Sequence, residues 1–217
     1  MNQAAWSRIS NLRDNFNFNP DIIYDIGAHE GAWTKECKSV FPQAAYIQFE
    51  ADTDKMPYLP NGLSFFEVLG NKDDKLVEYY KIKTQFTTGN SIFKENSYHY
   101  TGDNFYTEKR KMVTLDTIIA VNNLPLPNFI KIDTQGSELL ILEGAKNAME
   151  NAEIILLEVN LHEYNKQSPL ILEVLQFMDN RGFILIDIID MHNIYKVLAQ
   201  IDVVFAKKGS RFCVQSF

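Results

Sequence analysis

The stretch IIYDIGAHEG at residues 22–31 decides the fold, because it passes from a run of apolar residues to an aspartate and two glycines. A short run rich in isoleucine predicts a buried strand. Asp25 lies near the end of that strand, and Gly27 and Gly31 bracket a tight turn in front of a helix. The first N–H groups of such a helix are unpaired and attract anionic ligands. The stretch therefore predicts a strand–turn–helix unit whose turn contributes to a ligand site.

Similar apolar runs recur along the chain and alternate with helical stretches. Strands are expected at residues 22–26, 44–49, 63–69, 129–132, 153–159, 183–189 and 202–206. Helices are expected at residues 3–15, 32–41, 137–150 and 169–181, the last with Pro169 in its first turn and Gly182 at its C-terminal cap. This alternation predicts an α/β fold with a mostly parallel sheet. The linker DMHNIYKVLAQI between the last two strands shows no helical pattern, so we expect that pair to be antiparallel.

The composition is that of one globular domain spanning residues 1–217, with an N-terminal helix within residues 1–20. The chain is 46% hydrophobic and 23% charged, and its net charge of −7 argues against general binding to nucleic acid. No run approaches the ~20 apolar residues of a membrane span, and the N-terminus lacks the apolar core of a signal peptide. We expect a cytoplasmic protein in which Cys37 and Cys213 are reduced. The sequence does not indicate an oligomeric state.

Residues 70–111 interrupt the alternation of strands and helices. This segment is polar and rich in tyrosine and phenylalanine, which predicts hairpins and loops. Long irregular insertions in compact domains are commonly lids or binding loops. We therefore expect residues 84–106 to cover the ligand site, with an inert surface hairpin as the equal alternative.

A carboxylate after the second strand predicts what kind of ligand the site holds. Glu50 ends the run YIQFE, where it can accept hydrogen bonds from both hydroxyls of a ribose. A nicotinamide enzyme uses a similar acid but needs the turn G-x-G-x-x-G, and His29 stands at the place of its middle glycine. The early Asp25 would also repel a pyrophosphate. The pattern therefore favours S-adenosylmethionine, which carries a ribose and an amino-acid end.

The run FIKIDTQGSELLILEGA at residues 129–145 predicts a second strand–turn–helix unit at the same edge. Asp133 ends its strand and should face the same crevice as Asp25, which favours a functional role over a helix cap. Glu138 starts the helix, where an acid complements the helix dipole. The two units together predict a site at the carboxyl ends of neighbouring strands.

These motifs together resemble the FkbM family of S-adenosylmethionine-dependent methyltransferases over roughly residues 20 to 208. The resemblance is carried by DIGAHEGAWT, FE at 49–50, GNSIF at 89–93, VTLDTI at 113–118, IKIDTQGSELLILEGA and the closing IDVVFAKK. It implies a class I methyltransferase fold, with a seven-stranded sheet in the order 3-2-1-4-5-7-6 and strand 7 antiparallel. It also implies O-methylation of a hydroxyl on a sugar, glycan or polyketide-type natural product. His29 stands where the family usually has asparagine, and Thr134-Gln135 stands where it commonly has Val-Glu.

The resemblance and the motifs together give the expected site. The residues expected to bind S-adenosylmethionine are Asp25, Gly27, Ala28, His29, Gly31, Thr34, Glu50, Ala51, Ser91 and Asp133. The acceptor is a small molecule or glycan, and its hydroxyl needs a general base. The candidates for that base are Asp133, Glu158 and His162, whereas His99 and His192 fall in predicted loops.

Three alternatives stay open from the sequence. Asp133, Glu138 and Glu158 could gather a divalent cation, but acids are common at this edge and we expect no metal. A binding module could retain the cofactor site without chemistry. A nicotinamide oxidoreductase is the third alternative, and the missing glycine disfavours it.

Overall fold

The structure of the chain is a computed structural model that describes residues 1–83, 87–194 and 196–213. The helices are α1 (Gln3–Phe16), α2 (Ala32–Val40), α3 (Leu115–Asn122), α4 (Glu138–Glu143), α5 (Lys146–Asn151) and α6 (Ile171–Asn180). The strands are β1 (Ile22–Ile26), β2 (Ala45–Phe49), β3 (Leu63–Phe65), β4 (Val68–Leu69), β5 (Leu76–Ile82), β6 (Phe105–Val113), β7 (Phe129–Ile132), β8 (Ile154–Asn160), β9 (Phe183–Ile194) and β10 (Val197–Lys207). In these ranges, no helix combines the length and apolar character that a bilayer crossing requires.

Seven strands form one sheet in the order β3-β2-β1-β7-β8-β10-β9. Strands β3, β2, β1, β7 and β8 run parallel, and β10 is antiparallel to both of its neighbours. This topology confirms the predicted order and the predicted antiparallel strand. The predicted insertion contributes β5 and most of β6 to a second sheet of three strands, in which β5 and β6 are antiparallel. The third strand, β4, precedes the insertion and pairs with β6.

The central strands are covered on both faces, which explains their nearly continuous apolar sequences. Neighbouring residues of β1 and β7 point to opposite faces, so Ile23 and Phe129 pack with α1 and α2, while Tyr24 and Ile130 pack with α3 to α6. All four of these side chains are fully buried. Each face of the sheet thus has its own hydrophobic core, and the central strands are buried between the two.

Two predicted elements are divided in the structure. The expected strand at 63–69 breaks into β3 and β4, because the Arg110 guanidinium donates to the carbonyls of Ala51 (3.0 Å) and Phe66 (2.8 Å) and draws the chain toward β6. The expected helix at 137–150 breaks into α4 and α5 around Gly144. A side chain at Gly144 would lie 2.1 Å from the carbonyl oxygen of Gly70, so only glycine fits at this position.

The boundaries of the other helices differ from the sequence pattern for local reasons. Pro169 precedes α6 and does not lie in its first turn, because Glu173 accepts a hydrogen bond from the N–H of Leu170 (2.9 Å) and so fixes the start of the helix. Gly182 follows the helix with φ of +80°, as its predicted capping place requires. Helix α3 was missing from the prediction. The sequence feature that predicts this helix is the N-cap residue Thr114, whose hydroxyl accepts a hydrogen bond from the N–H of Thr117 (3.2 Å).

The linker between the last two strands is itself β-structure. Strand β9 extends to Ile194 and strand β10 begins at Val197, so residues 190–194 and 197–201 belong to a long hairpin instead of a loop. The prediction that His192 lies in a loop was therefore wrong. Its strand pairs with β10, where His192 stands opposite Gln200.

A buried ion pair joins the two strands that carry the predicted site. Asp25 of β1 and Lys131 of β7 are direct register partners, and Lys131 Nζ lies 3.1 Å from Asp25 Oδ1. The same ammonium group donates to the carbonyl of Gly27 (3.0 Å). Burial lowers the pKa of Lys131, but the charges of Asp25 and Asp133 outweigh it and raise that pKa above its usual value. The lysine is therefore charged and holds the β1 turn against β7.

We predict that Lys131→Met destabilises the fold strongly, because it leaves the fully buried Asp25 carboxylate without its cation. Removing one partner of a buried ion pair costs about 3–5 kcal/mol. The free energy of unfolding in urea measures the loss. Lys111→Met is the matched control, since Lys111 pairs with Asp74 at 2.8 Å on the open surface and its loss should change stability little. Equal effects of the two variants would contradict the assigned role.

Candidate active site

A cleft opens at the carboxyl ends of β1, β2 and β7, where the strand order reverses on either side of β1. We call it the first cleft, and it has a volume of about 740 Å³ including its open mouth. Its polar lining contains Gly27, His29, Glu50, Ser91 and Asp133. Its apolar lining contains Ile26, Phe49, Val68, Leu69 and Ile141. The fold therefore brings together residues from both predicted strand–turn–helix units.

The two turns that frame the first cleft are in backbone contact. Gly27 has φ of +76°, and a side chain at this position would lie 1.8 Å from the carbonyl oxygen of Asp133. The packing of one turn on the other therefore requires glycine at this position, and Gly27 also lines the first cleft. His29 also takes the left-handed conformation with φ of +49°, which asparagine and histidine tolerate better than most residues.

Glu50 lies on the wall of the first cleft and organises its edge. Its Oε2 accepts from the N–H of His29 (2.6 Å), and its Oε1 accepts from the N–H of Asp52 (2.7 Å). Burial raises the pKa of Glu50, and these two N–H groups oppose that rise. Each carboxylate oxygen has two acceptor sites, so two sites remain for ligand hydroxyls.

Three predicted cofactor contacts lie beneath the first cleft and not on its surface. Asp25 and Thr34 are fully buried, and the Thr34 hydroxyl donates to Asp25 Oδ2 (2.6 Å). Gly31 is the N-cap of α2 with φ of +70°, and a side chain there would overlap Pro60. None of the three lines either cleft.

Two further predicted contacts lie near the mouth. Ala51 and Ser91 both line the first cleft. The Ser91 hydroxyl donates to the carbonyls of Thr134 and Gln135, both at 3.0 Å, and so ties the inserted segment to the turn after β7. Part of the segment expected to cover the site, residues 84–86, lies outside the described residues.

A second cleft adjoins the first and is bounded by α1, α2 and the β9–β10 hairpin. Gly27, His29 and Asp133 line both clefts, and Ala28 lines the second one. The residues that line only the second cleft include Trp6, Trp33, Glu36, Glu158, His192 and Asp202. Asp133 therefore stands at the junction of two clefts, and its side chain is 39% exposed.

Gln135 bridges two of the predicted catalytic acids. Its amide donates to Asp133 Oδ1 (3.1 Å) and to Glu158 Oε2 (2.6 Å), and Gln200 donates to the same oxygen of Glu158 (3.0 Å). A glutamate at position 135, as the resemblance implies for relatives, would place a third carboxylate between these two. The amide removes that repulsion, so this departure from the family pattern shapes the junction of the clefts.

The electrostatics of Glu158 favour its protonated form. Burial raises the pKa of Glu158 well above its usual value, and the nearby charges of Asp133 and Asp202 raise it further. Glu138 has a different surrounding, because its Oε1 accepts from the N–H groups of Thr134 (2.9 Å) and Gly136 (3.1 Å) and so stabilises its own turn.

Of the three acids considered as metal ligands from the sequence, only Glu158 belongs to the group that converges. Among the described residues, the group whose ligand-type atoms lie within 4.8 Å of one another consists of Glu158, His192 and Asp202. Nε2 of His192 lies 3.1 Å from Asp202 Oδ2. Sequence reasoning missed both His192 and Asp202, and the only available signal was their alternation with apolar residues in the last two strands.

His162 lies elsewhere. It follows β8 in a loop, its side chain is exposed, and it lines neither cleft. Its role as a base stays a prediction of the sequence, to which the geometry adds no support.

Comparison with known proteins identifies the family. The model of the methyltransferase FkbM domain matches residues 25–185, which is more than half of the chain. The hexuronic acid methyltransferase AglP of Haloferax volcanii is 22% identical over 146 residues, covering 64% of this chain and 56% of AglP.

Two solved structures share the fold. Methyltransferase FkbM from Methylobacillus flagellatus has a TM-score of 0.53 at 17% identity, over 84% of this chain and 43% of that chain. An S-adenosylmethionine-dependent methyltransferase from Clostridium acetobutylicum has a TM-score of 0.51 at 9% identity, over 96% of this chain and 93% of that chain. The sheet order, the crevice beside β1 and the family match agree, and the chain belongs to the FkbM family of S-adenosylmethionine-dependent methyltransferases.

Proposed function

We propose that this chain is an O-methyltransferase that acts on a hydroxyl of a sugar, a glycan or another small natural product. The observation that carries the proposal is the position of Asp133, which lines both clefts at their junction. A cofactor in the first cleft would thus present its reactive end to an acceptor in the second. The likeness to AglP, which is named for hexuronic acid, supports a sugar acceptor.

The lining of the first cleft fits S-adenosylmethionine in its chemistry. Glu50 has the free acceptor sites that two ribose hydroxyls need. The apolar wall formed by Ile26, Phe49 and Leu69 suits a purine ring. Gly27 and Asp133 would then face the methionine end, next to the second cleft.

The chemistry divides between the cofactor and the chain. S-adenosylmethionine supplies a methyl group that its sulfonium charge already activates. The chain has to hold an acceptor oxygen in line with that group, and such positioning contributes ~7–11 kcal/mol to lowering the barrier. The chain also has to remove the proton of the acceptor hydroxyl, because a hydroxyl is a weak nucleophile until it is deprotonated. Asp133 and the Gln135 amide stand where the acceptor would be oriented.

We also propose that the inserted segment closes over the first cleft. Asn90, Ser91 and Ile92 already line it, and Ser91 is bonded to the turn after β7. Ligand binding should therefore protect residues 87–106 from limited proteolysis, measured by mass spectrometry with and without S-adenosylhomocysteine. Cleavage at the same rate in both conditions would favour an inert hairpin.

We predict that Glu50→Gln weakens cofactor binding, because it removes the charge that strengthens the bonds to the ribose hydroxyls. A lost charge-assisted hydrogen bond costs ~1.5–3 kcal/mol, which corresponds to about a 10- to 100-fold rise in Kd. Calorimetry with S-adenosylmethionine measures it. Asp54→Asn makes the same charge change on the loop after β2 without lining a cleft, and it should bind as the parent does. Parent-like affinity of Glu50→Gln would refute the assignment.

We predict that Asp133→Asn impairs turnover more than stability. The side chain is partly exposed, so its replacement by an amide of the same shape should preserve the fold. Loss of a positioned charge beside the acceptor should lower the rate by about 10²–10⁴. The measurements are methyl transfer to an accepted substrate and the thermal midpoint Tm. A fully active variant would reduce Asp133 to a structural residue of the turn.

A further inference from the structure

The second cleft contains a histidine whose ring is oriented by a carboxylate. Nε2 of His192 lies 3.1 Å from Oδ2 of Asp202, on the neighbouring strand of the hairpin. Asp202 is 6% exposed, whereas the His192 side chain is 35% exposed. No hydrogen bond joins Nδ1 of His192 to the residues that the structure describes. The carboxylate therefore fixes the N–H on Nε2 and leaves the lone pair of Nδ1 available, which is the arrangement of a general base and its orienting group.

We infer that the acceptor binds in the second cleft as a neutral, polyhydroxylated molecule, and that Nδ1 of His192 takes the proton of its reacting hydroxyl. Asp202 is then a positioning residue. This inference rests on the proposed O-methyltransferase function. In the step, the acceptor oxygen bonds to the methyl carbon while the carbon–sulfur bond breaks. The sulfur keeps the electron pair of that bond, and the hydroxyl proton passes to Nδ1.

His192 suits this role better than Glu158. Glu158 Oε2 already accepts two amide hydrogen bonds, from Gln135 and Gln200. Because burial and neighbouring acids raise its pKa, Glu158 favours the protonated state, in which it donates a hydrogen bond to an acceptor oxygen and takes no proton from it. His192 and Glu158 thus provide one acceptor and one donor on the same wall.

The charge of the second cleft indicates a neutral acceptor. Glu36, Asp133 and Asp202 line it, while the ammonium of Lys131 on the same wall is held by Asp25. A carboxylate or phosphate on the acceptor would meet this negative field. Trp6 and Trp33 also line this cleft with ring centroids 5.9 Å apart, and the partly exposed Trp6 offers an apolar surface for the C–H groups of a sugar ring.

The pH dependence follows from the groups around His192. The hydrogen bond to Asp202 raises the pKa of His192, burial opposes it, and the charges of Asp190 and Asp133 add to the rise. Glu158 on β8 and Lys131 on β7 complete the wall, and the Met1 amino group lies 4.0 Å from Asp190 on the α1 side. A base acts only when neutral, so the rate should fall as pH drops through a pKa above the ordinary ~6.5. Asp202→Asn should move this fall to lower pH.

The first experiment measures binding without chemistry. The two tryptophans of the chain, Trp6 and Trp33, both line the second cleft, so intrinsic fluorescence reports its occupancy. The probes are the methyl glycosides of glucose, galactose, mannose and xylose, and the matched methyl uronosides of glucose, galactose and mannose, added in the presence of S-adenosylhomocysteine. At least one neutral glycoside should give a saturable change, with its uronoside binding at least tenfold more weakly. Equal or tighter binding of the uronosides, or no saturable change with any neutral probe, would overturn the inference.

The second experiment measures transfer of labelled methyl groups to the same probes. His192→Gln should lower kcat by about 10²–10⁴ while calorimetry still finds parent-like cofactor binding. Asp202→Asn should lower the rate less and shift the acid limb of the pH profile downward, which a purely structural role would not do. Asp187→Asn makes the same charge change on β9, lines neither cleft and should leave rate and profile unchanged.

The outcomes separate the two proposals. Absence of transfer from the parent to any hydroxylated probe would overturn the proposed function, and the inference with it. Transfer by the parent with a parent-like rate in His192→Gln would overturn the inference alone, as would a loss confined to His162→Gln. Inhibition of the parent by a chelator, reversed by magnesium, would also overturn it, because a cation would then acidify the hydroxyl in place of the imidazole.

Discussion

The buried ion pair between Asp25 and Lys131 is the constraint on which the site depends. An unpaired charge inside the sheet would cost several kcal/mol, so each residue requires the other at the register where β1 and β7 meet. Lys131 then holds the carbonyl of Gly27, and the absence of a side chain at Gly27 lets the turn reach the backbone of Asp133. The two turns that frame the first cleft are therefore placed by one ammonium group and one missing Cβ.

This arrangement fixes the position of Asp133, which lies where two clefts of different chemistry meet. The first has an apolar wall and one carboxylate, Glu50, with acceptor sites to spare. The second is acidic and carries the hydrogen-bonded pair of His192 and Asp202. Gln135 lies between them and replaces a carboxylate by an amide that donates to both of its neighbours. Under the proposed function, the cofactor binds in the first cleft and the acceptor is deprotonated in the second, and Gly27, His29 and Asp133 line both.

The placement of Gly27, Glu50 and Asp133 around one cleft was predictable because it depends on local patterns. A strand ending on a carboxylate, followed by a glycine turn and a helix, places Gly27, Glu50 and Asp133 at one edge of the sheet in any parallel α/β fold. The pattern did not reveal how deeply each residue of the motif is buried. Asp25 and Thr34 lie in the same motif as the lining residues, yet both are fully buried. Whether a motif residue touches a ligand depends on how the sheet twists and packs, which sequence spacing does not encode.

Apolar periodicity was enough to predict the alternation of strands and helices, and the missing crossover helix was enough to predict the antiparallel last strand, whereas the seven-stranded order was implied by the family resemblance. The partner of Lys131 lies 106 positions away in the chain, and the placement of His192 requires the hairpin to fold back beside β8, so neither could be predicted from the sequence. Both are long-range contacts between polar side chains. Such contacts leave no periodic signal in the sequence. A single polar residue in a strand gives the same sequence pattern whether it contacts solvent, a carboxylate or a substrate.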